Sequence, residues 1–128
     1  MCIYIMNNRP VQVIKRCRQC APGEIGISAV TLSELRYGVS KSTRQKENKI
    51  RLDEFMAPFE VLAYDPEAAN VYGDIRFQLE KRGTPIGALD MLIAAQALSR
   101  NLILVTNNEK EFRRIRKLKV ENWAQYLE

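Results

Sequence analysis

The sequence EIGISAVTLSELRYGV, residues 24–39, passes from a strand-like apolar run directly into a helical pattern. The run over 24–30 predicts a strand from its apolar members, Ile25, Ile27, Ala29 and Val30. Residues 31–39 predict a helix, because one of its faces would carry Leu32, Leu35 and Val39. A strand that is followed at once by a helix is the building unit of an α/β fold.

The same alternation continues along the rest of the chain. Short apolar runs predict further strands over 59–64, 102–105 and 118–123. Helical patterns and end signals predict helices over 7–20, 42–56, 65–82, 88–100 and 109–115. The strands are short and almost wholly apolar, which favours a mainly parallel sheet covered by helices on both faces. With 128 residues, we expect one α/β domain over residues 1–128.

Charge and cysteine content narrow the function classes. The formal charge of +5 leans toward an anionic partner such as nucleic acid, although a merely soluble basic protein would show the same value. Three cysteines, Cys2, Cys17 and Cys20, are too few for a secreted disulfide framework. The apolar stretches are too short to span a membrane, and no export signal begins the chain. We therefore expect a cytoplasmic protein.

The sequence contains no histidine, and this absence removes several mechanisms. Ser-His-Asp and Cys-His hydrolysis both need an imidazole ring. A tetrahedral zinc site cannot be assembled within one chain from Cys17, Cys20 and a single further cysteine. Catalysis would have to use carboxylates, amides, hydroxyls or a bound hard cation.

Polar side chains stand near the starts of two predicted helices and in one predicted turn that follows a strand. These residues are Glu34, Asp90 and the pair Asn107–Asn108. In a parallel α/β sheet, ligands collect at the carboxyl ends of the strands. Carboxylate and amide oxygens that converge there suit Mg²⁺ or Mn²⁺, and a water bound to such an ion can attack a phosphodiester.

Each of these sites also has a purely structural interpretation. Thr31-x-x-Glu34 matches a capping box, in which the glutamate only closes the helix end. Asp90 would be a favourable charge near a helix N-terminus, and Asn107–Asn108 would simply form a turn. The apolar neighbours of Asp90 favour function, because an isolated buried carboxylate is costly unless it is paired or bound to a cation.

A basic run follows the last turn. It contains Arg113, Arg114, Arg116, Lys117 and Lys119. These side chains could hold an RNA backbone, although a solvated basic surface is the commoner meaning of such a run.

Four motifs in this order and spacing resemble the PIN-domain ribonuclease toxins of the VapC type. They are SAVTLSELxYG over 28–38, PIGxxDxxIAA over 85–95, VTNNxxxF over 105–112 and VExW over 120–123. Each motif alone is weak, but together they cover most of the chain. The resemblance implies a PIN-like three-layer fold with a mainly parallel central sheet.

What the resemblance implies about function is specific. The chain would be the toxin of a type II toxin–antitoxin pair, a homodimeric Mg²⁺- or Mn²⁺-dependent endoribonuclease, often acting on transfer RNA. A VapB-type antitoxin would silence it by placing its C-terminal segment in the active-site groove. By position, Glu34 and Asp90 are catalytic and metal-binding residues, and Asn108 is a fourth metal-site position where an amide replaces the charge often found in the family.

The sequence departs from the family at its beginning. In the family, an apolar strand ending in Asp-Thr-Asn precedes the segment that corresponds to Cys2–Met6, and its aspartate is a principal metal ligand; this sequence has no such motif. We therefore expect a central first strand to be missing and the activity to be weak. One alternative is an inactive or truncated PIN domain that binds antitoxin or RNA without cleaving. Another is an unrelated basic α/β binding module.

Overall fold

A five-stranded parallel sheet organises the protein in the computed structural model, which describes residues 2–4 and 24–123. The strands are β1 (Cys2–Tyr4), β2 (Ile25–Ser28), β3 (Glu60–Leu62), β4 (Ile103–Val105) and β5 (Lys119–Glu121). The helices are α1 (Ala29–Ser40), α2 (Gln45–Met56), α3 (Pro66–Lys81), α4 (Ala88–Ser99) and α5 (Glu109–Phe112). The strand order is β3-β2-β1-β4-β5, and every neighbouring pair is parallel.

Two apolar clusters cover the two faces of this sheet. The larger cluster contains Leu62 and Leu104 together with residues of α3 and α4. The smaller cluster contains Ile27 together with Leu52 and Met56 of α2. Ser28 pairs with Leu62, and neighbouring side chains on a strand point to opposite faces, so Ile27 lies on the other side from Leu62. The predicted α/β fold with helices on both faces is confirmed.

The expected gap in the middle of the sheet is not observed, although the Asp-Thr-Asn motif is absent from the sequence. Cys2–Tyr4 forms β1, which occupies the middle of the sheet and pairs with β2 on one side and β4 on the other. The physical reason is that a short apolar segment can satisfy the backbone groups of both neighbours if it lies in register with them. The facing sides of β2 and β4 therefore both pair with β1.

Most predicted elements lie within a few residues of the observed ones. The capping Asp65 accepts a hydrogen bond from Ala68 N at 2.9 Å, and Gly83 follows the helix with a positive φ of 71°, as its stop signal predicts. The apolar residues of the helix over 42–56 predict one packed side formed by Ile50, Leu52, Phe55 and Met56; Leu52 and Met56 are buried, but Ile50 is 58% exposed. The predicted helix over 7–20, with Cys17 and Cys20, lies outside the described residues.

The α4 helix is buried on most sides, as its apolar sequence predicts. Its buried residues are Met91, Ile93, Ala94, Ala95, Gln96 and Ala97. The polar member, Gln96, donates from Nε2 to the carbonyl oxygens of Leu62 and Ala63, both at 2.8 Å. These bonds fix α4 against the carboxyl end of β3 and so help to set the position of Asp90 at its other end. Among the described residues, no helix is long and apolar enough to cross a membrane.

Candidate active site

Asp90 stands in the first turn of α4, three residues after the N-cap residue Gly87. It is half-buried, and Met91 and Ile93 beside it are almost fully buried. A Cβ atom at Gly87 would lie 3.7 Å from Asp90 Oδ2, so the carboxylate faces back along the loop that leads into the helix. The apolar sequence of α4 thus places one carboxylate at the margin of the core.

The surroundings of Asp90 raise its pKa. Burial contributes most, followed by the charge of Glu111 and a hydrogen bond with it, and then by the charge of Glu34. Acidic groups from three helices, α4, α5 and α1, therefore act on one another at this place.

Glu34 is exposed on α1 and is not used to close the helix. The N-cap residue of α1 is Ser28, whose side chain accepts from Val30 N at 3.1 Å. The helix therefore starts before Thr31, and the capping-box interpretation of Thr31 and Glu34 is wrong. Instead, Thr31 Oγ1 is buried and has no hydrogen-bond partner among the residues that the structure describes.

The turn after β4 brings a further acid to the same place. Asn108 N donates to Thr106 Oγ1 at 3.0 Å, which shapes the turn, and Asn108 Nδ2 donates to Glu111 Oε2 at 3.2 Å. Asn107 is exposed. Glu111 was not singled out from the sequence. The signal that could have found it is the spacing Asn108-x-x-Glu111, which places the acid one helical turn beyond the amide.

The donor set of this cluster has the right chemistry for a hard cation. Glu34, Asp90, Glu111 and Asn108 offer carboxylate and amide oxygens, which Mg²⁺ and Mn²⁺ prefer. Among the described residues, however, no group of three or more acidic side chains is spaced to hold a metal ion. The residues present therefore fit such an ion by chemistry, and the carboxylates would have to draw closer together to enclose it.

The residues of the basic run differ in the contacts that they make. Arg113 binds Glu109 on the same helix at 2.9 Å, and Arg114 Nη1 donates to Pro85 O at 2.9 Å. Arg116 and Lys117 are exposed, and they line a cavity of about 330 Å³ beside α3. Lys117 comes just before β5, whose first residue pairs with Ile103, the first residue of β4. Lys117 therefore lies toward the amino ends of these strands, whereas Asn108 lies beyond the carboxyl end of β4. Binding of RNA by these four residues stays a prediction.

Comparison with known proteins identifies the fold family. The model of the PIN domain matches residues 2–118. Ribonuclease VapC2 of Rickettsia felis is 40% identical over 124 residues, which are 96% of this chain and 92% of that protein. The tRNA(fMet)-specific endonuclease VapC of Shigella flexneri is 41% identical over 124 residues, covering 97% and 93% of the two chains. This chain is a PIN-domain protein of the VapC family.

Solved structures of VapC-family complexes have the same architecture. VapBC2 from Rickettsia felis, bound to a DNA fragment from their promoter, matches with a TM-score of 0.88 and 37% identity over 96% of this chain and 99% of that one. DNA-bound VapBC from Salmonella typhimurium matches with a TM-score of 0.89 and 37% identity, covering 95% and 97%. The resemblance to PIN-domain toxins is confirmed, and the interpretation as an unrelated binding module is wrong.

Proposed function

We propose that this VapC-family chain is the toxin of a type II toxin–antitoxin pair and cleaves RNA as a Mg²⁺- or Mn²⁺-dependent endoribonuclease. The relatives at about 40% identity are named ribonucleases, and one is named as specific for tRNA(fMet), so transfer RNA is the first substrate to test. A VapB-type antitoxin is the partner, since the similar solved structures are VapBC complexes. We also propose that the protein is a homodimer and that it acts in the cytoplasm.

The observation that carries this proposal is the 40% identity, over 96% of this chain, to a protein named a ribonuclease, and the raised pKa of Asp90 supports this residue as part of the site. Burial and two neighbouring carboxylates, Glu111 and Glu34, all disfavour its negative charge. Such crowding of like charges is unfavourable in the protein alone, and a divalent cation would relieve it. Structural ion pairs do not produce this pattern, because in them each carboxylate lies beside a cation.

The residues have distinct roles in the proposed reaction. Asp90, Glu111 and Glu34 would hold the cation, and the Asn108 amide would orient Glu111 by donating to it. The chemistry that Mg²⁺ or Mn²⁺ supplies when bound is a water of lowered pKa and stabilisation of charge on the phosphate. Because the chain has no histidine, we expect these carboxylates or solvent to carry the proton at this site.

Cleavage of unfractionated transfer RNA by the purified chain tests the proposal. We expect product only with Mg²⁺ or Mn²⁺ and none after chelation. Asp90→Asn should lower the rate by about 100-fold or more, because several kcal/mol of charge stabilisation would be lost. Asp74→Asn, which removes an exposed acid of α3, is the matched control and should cut like wild type. If Asp90→Asn cuts as well as wild type, the assigned site is wrong.

The alternative is a VapC-family domain that binds its antitoxin or RNA without cleaving. The observation that favours it is the lack, among the described residues, of three acids spaced for a metal ion. Isothermal titration of the purified chain with Mn²⁺, followed by cleavage assays over the same concentrations, separates the two. Antitoxin binding without RNA turnover at any metal concentration would favour the alternative.

A further inference from the structure

Exposed apolar side chains lie close in sequence to the candidate acids. Among the described residues, the large hydrophobic side chains that stand out as exposed are Tyr37, Ile50, Val61, Phe77 and Leu89. Two of these five flank the site, since Tyr37 follows Glu34 by three residues and Leu89 precedes Asp90. Single exposed apolar residues need no explanation. Tyr37 differs from the others because polar and charged side chains lie beside it on the same helix.

Tyr37 shares one face of α1 with Glu34 and Lys41. Residues three and four positions apart are neighbours on a helix, so the three side chains form a line that begins at the acidic cluster. Lys41 Nζ lies 5.1 Å from the centroid of the Tyr37 ring, within the range of a cation–π contact. The ring is nevertheless 62% exposed. One cation therefore holds the ring while most of its surface stays open.

The helix that presents this line is well anchored. Arg36 Nη1 binds Asp53 Oδ1 at 2.7 Å, which joins α1 to α2, and Leu32, Leu35 and Val39 pack on the smaller core cluster. The position of Tyr37 relative to Glu34 is thus fixed by one rigid element. A ligand that meets both residues would find them already in place.

We propose that the face of α1 formed by Glu34, Tyr37 and Lys41 binds the RNA substrate, with a nucleobase beside the cut phosphodiester stacked on Tyr37 and a backbone phosphate at Lys41. This inference rests on the proposed function. Aromatic side chains next to cations are the usual platform for unpaired bases, because every base has a face that stacks. The neighbours of Tyr37 are charged or polar, with Ser33 and Ser40 also exposed, which fits a nucleotide better than an apolar peptide.

Binding to a single-stranded RNA of about 12 nucleotides and mixed sequence tests this surface. All variants carry Asp90→Asn so that the RNA is not cut during the measurement. Tyr37→Ala should weaken binding roughly 5- to 150-fold by fluorescence anisotropy, the range expected for one stacked base. Tyr37→Phe should bind like the parent. Phe77→Ala removes an aromatic ring of the same 62% exposure from α3 and should have no effect.

A fluorescent reporter makes the stacking itself visible. Tyr37→Trp places an indole at the surface, and added RNA should quench its emission, whereas Phe77→Trp should respond weakly or not at all. Lys41→Ala should lower the slope of log affinity against log salt by about 0.7, the value for one phosphate contact on a single strand. Equal affinity for Tyr37→Ala and the parent, or no quenching of Tyr37→Trp, would overturn the inference.

The two proposals can fail separately. If wild type cuts RNA and Asp90→Asn does not, while Tyr37→Ala binds and cuts normally, only the stacking surface is wrong. If Tyr37→Ala loses antitoxin binding but keeps its RNA affinity, the face serves the protein partner instead. If Asp90→Asn cuts like wild type, the active-site assignment fails, and the binding data still decide the role of Tyr37.

Discussion

Asp90 illustrates at the scale of one residue how a candidate active site reduces stability. Its pKa is raised by burial, by the charge and hydrogen bond of Glu111 and by the charge of Glu34. The folded-state pKa therefore lies above the unfolded value of about 4. Ionised Asp90 destabilises the folded protein at every pH above its folded pKa, and this cost disappears as the pH falls to the unfolded pKa.

We predict from this sign that Asp90→Asn is more stable than wild type when metal is removed. At pH 7 in a chelating buffer, its Tm should be higher by a few degrees, because a neutral amide replaces a charge that its neighbours repel. The gain should shrink as the pH falls and vanish below about 4, where wild-type Asp90 becomes protonated in both the folded and the unfolded state. Thermal melts over this pH range are the measurement. A lower Tm for the variant at pH 7 would contradict the prediction.

At the scale of elements, Gln96 links α4 to the sheet by hydrogen bonds. It is fully buried, and its Nε2 donates to two consecutive carbonyl oxygens at the end of β3. Its Oε1 has no partner among the described residues. The side chain therefore makes two good hydrogen bonds and leaves one acceptor unsatisfied. It stabilises the folded protein only while both N–H groups of the amide donate.

We predict that Gln96→Met destabilises the protein although it preserves the length of the side chain. The variant loses both donated bonds, and removal of the unpartnered Oε1 offsets part of that loss, so the free energy of unfolding should fall by about 1–2 kcal/mol. Urea unfolding measures the change. Gln78→Met on the exposed side of α3 is the control and should stay close to wild type. Equal stability of the two variants would show that the contact with β3 contributes little.

The α5 element gives one member of the basic run a structural contact. Glu109 accepts hydrogen bonds from Asn122 and Arg113, which lower its pKa. The bond from Asn122 joins α5 to the end of β5, and Arg113 also donates to the carbonyl oxygen of Val120 in that strand. Arg113 therefore has a structural role beside the edge strand. A charge run in a sequence does not show which of its members pair within the protein, so the pairing of Arg113 with Glu109 could not be predicted.

At the scale of the whole molecule, the sheet depends on its middle strand. Cys2–Tyr4 pairs with both β2 and β4, so this segment of three residues connects the two halves of the sheet. We predict that Ile3→Pro abolishes cooperative unfolding or lowers stability by at least about 2 kcal/mol, because proline removes a backbone donor from a central strand. Ile3→Val keeps that donor and is the control. A circular-dichroism melt of Ile3→Pro like that of wild type would place another segment at the centre.

Much of this architecture could be predicted from the sequence because its local signals agree. Asp65-Pro66 and Gly83 mark the ends of α3, and the apolar run of α4 requires burial. The central position of Cys2–Tyr4 could not be predicted, because strand order depends on pairing between distant segments. A single domain over residues 1–128 stays a prediction.

The candidate site was predicted only in part. Glu34 and Asp90 stood out from their positions, although their catalytic roles stay predictions. Glu111 was missed because its link to Asp90 arises only when α4 and α5 are brought together. Thr31 was taken for a possible cap because sequence spacing alone does not show that Ser28 starts the helix.

Glu34 and Glu111 lie on elements of unequal rigidity. β2 ends at Ser28 and α1 begins at Ala29, so no loop separates the helix that carries Glu34 from the sheet, and its backbone is held close to the sheet. Glu111 belongs to a helix of four residues, Glu109–Phe112, that follows a turn. If the site adjusts to ions of different radius, we therefore expect Glu111 to move and Glu34 to keep its place.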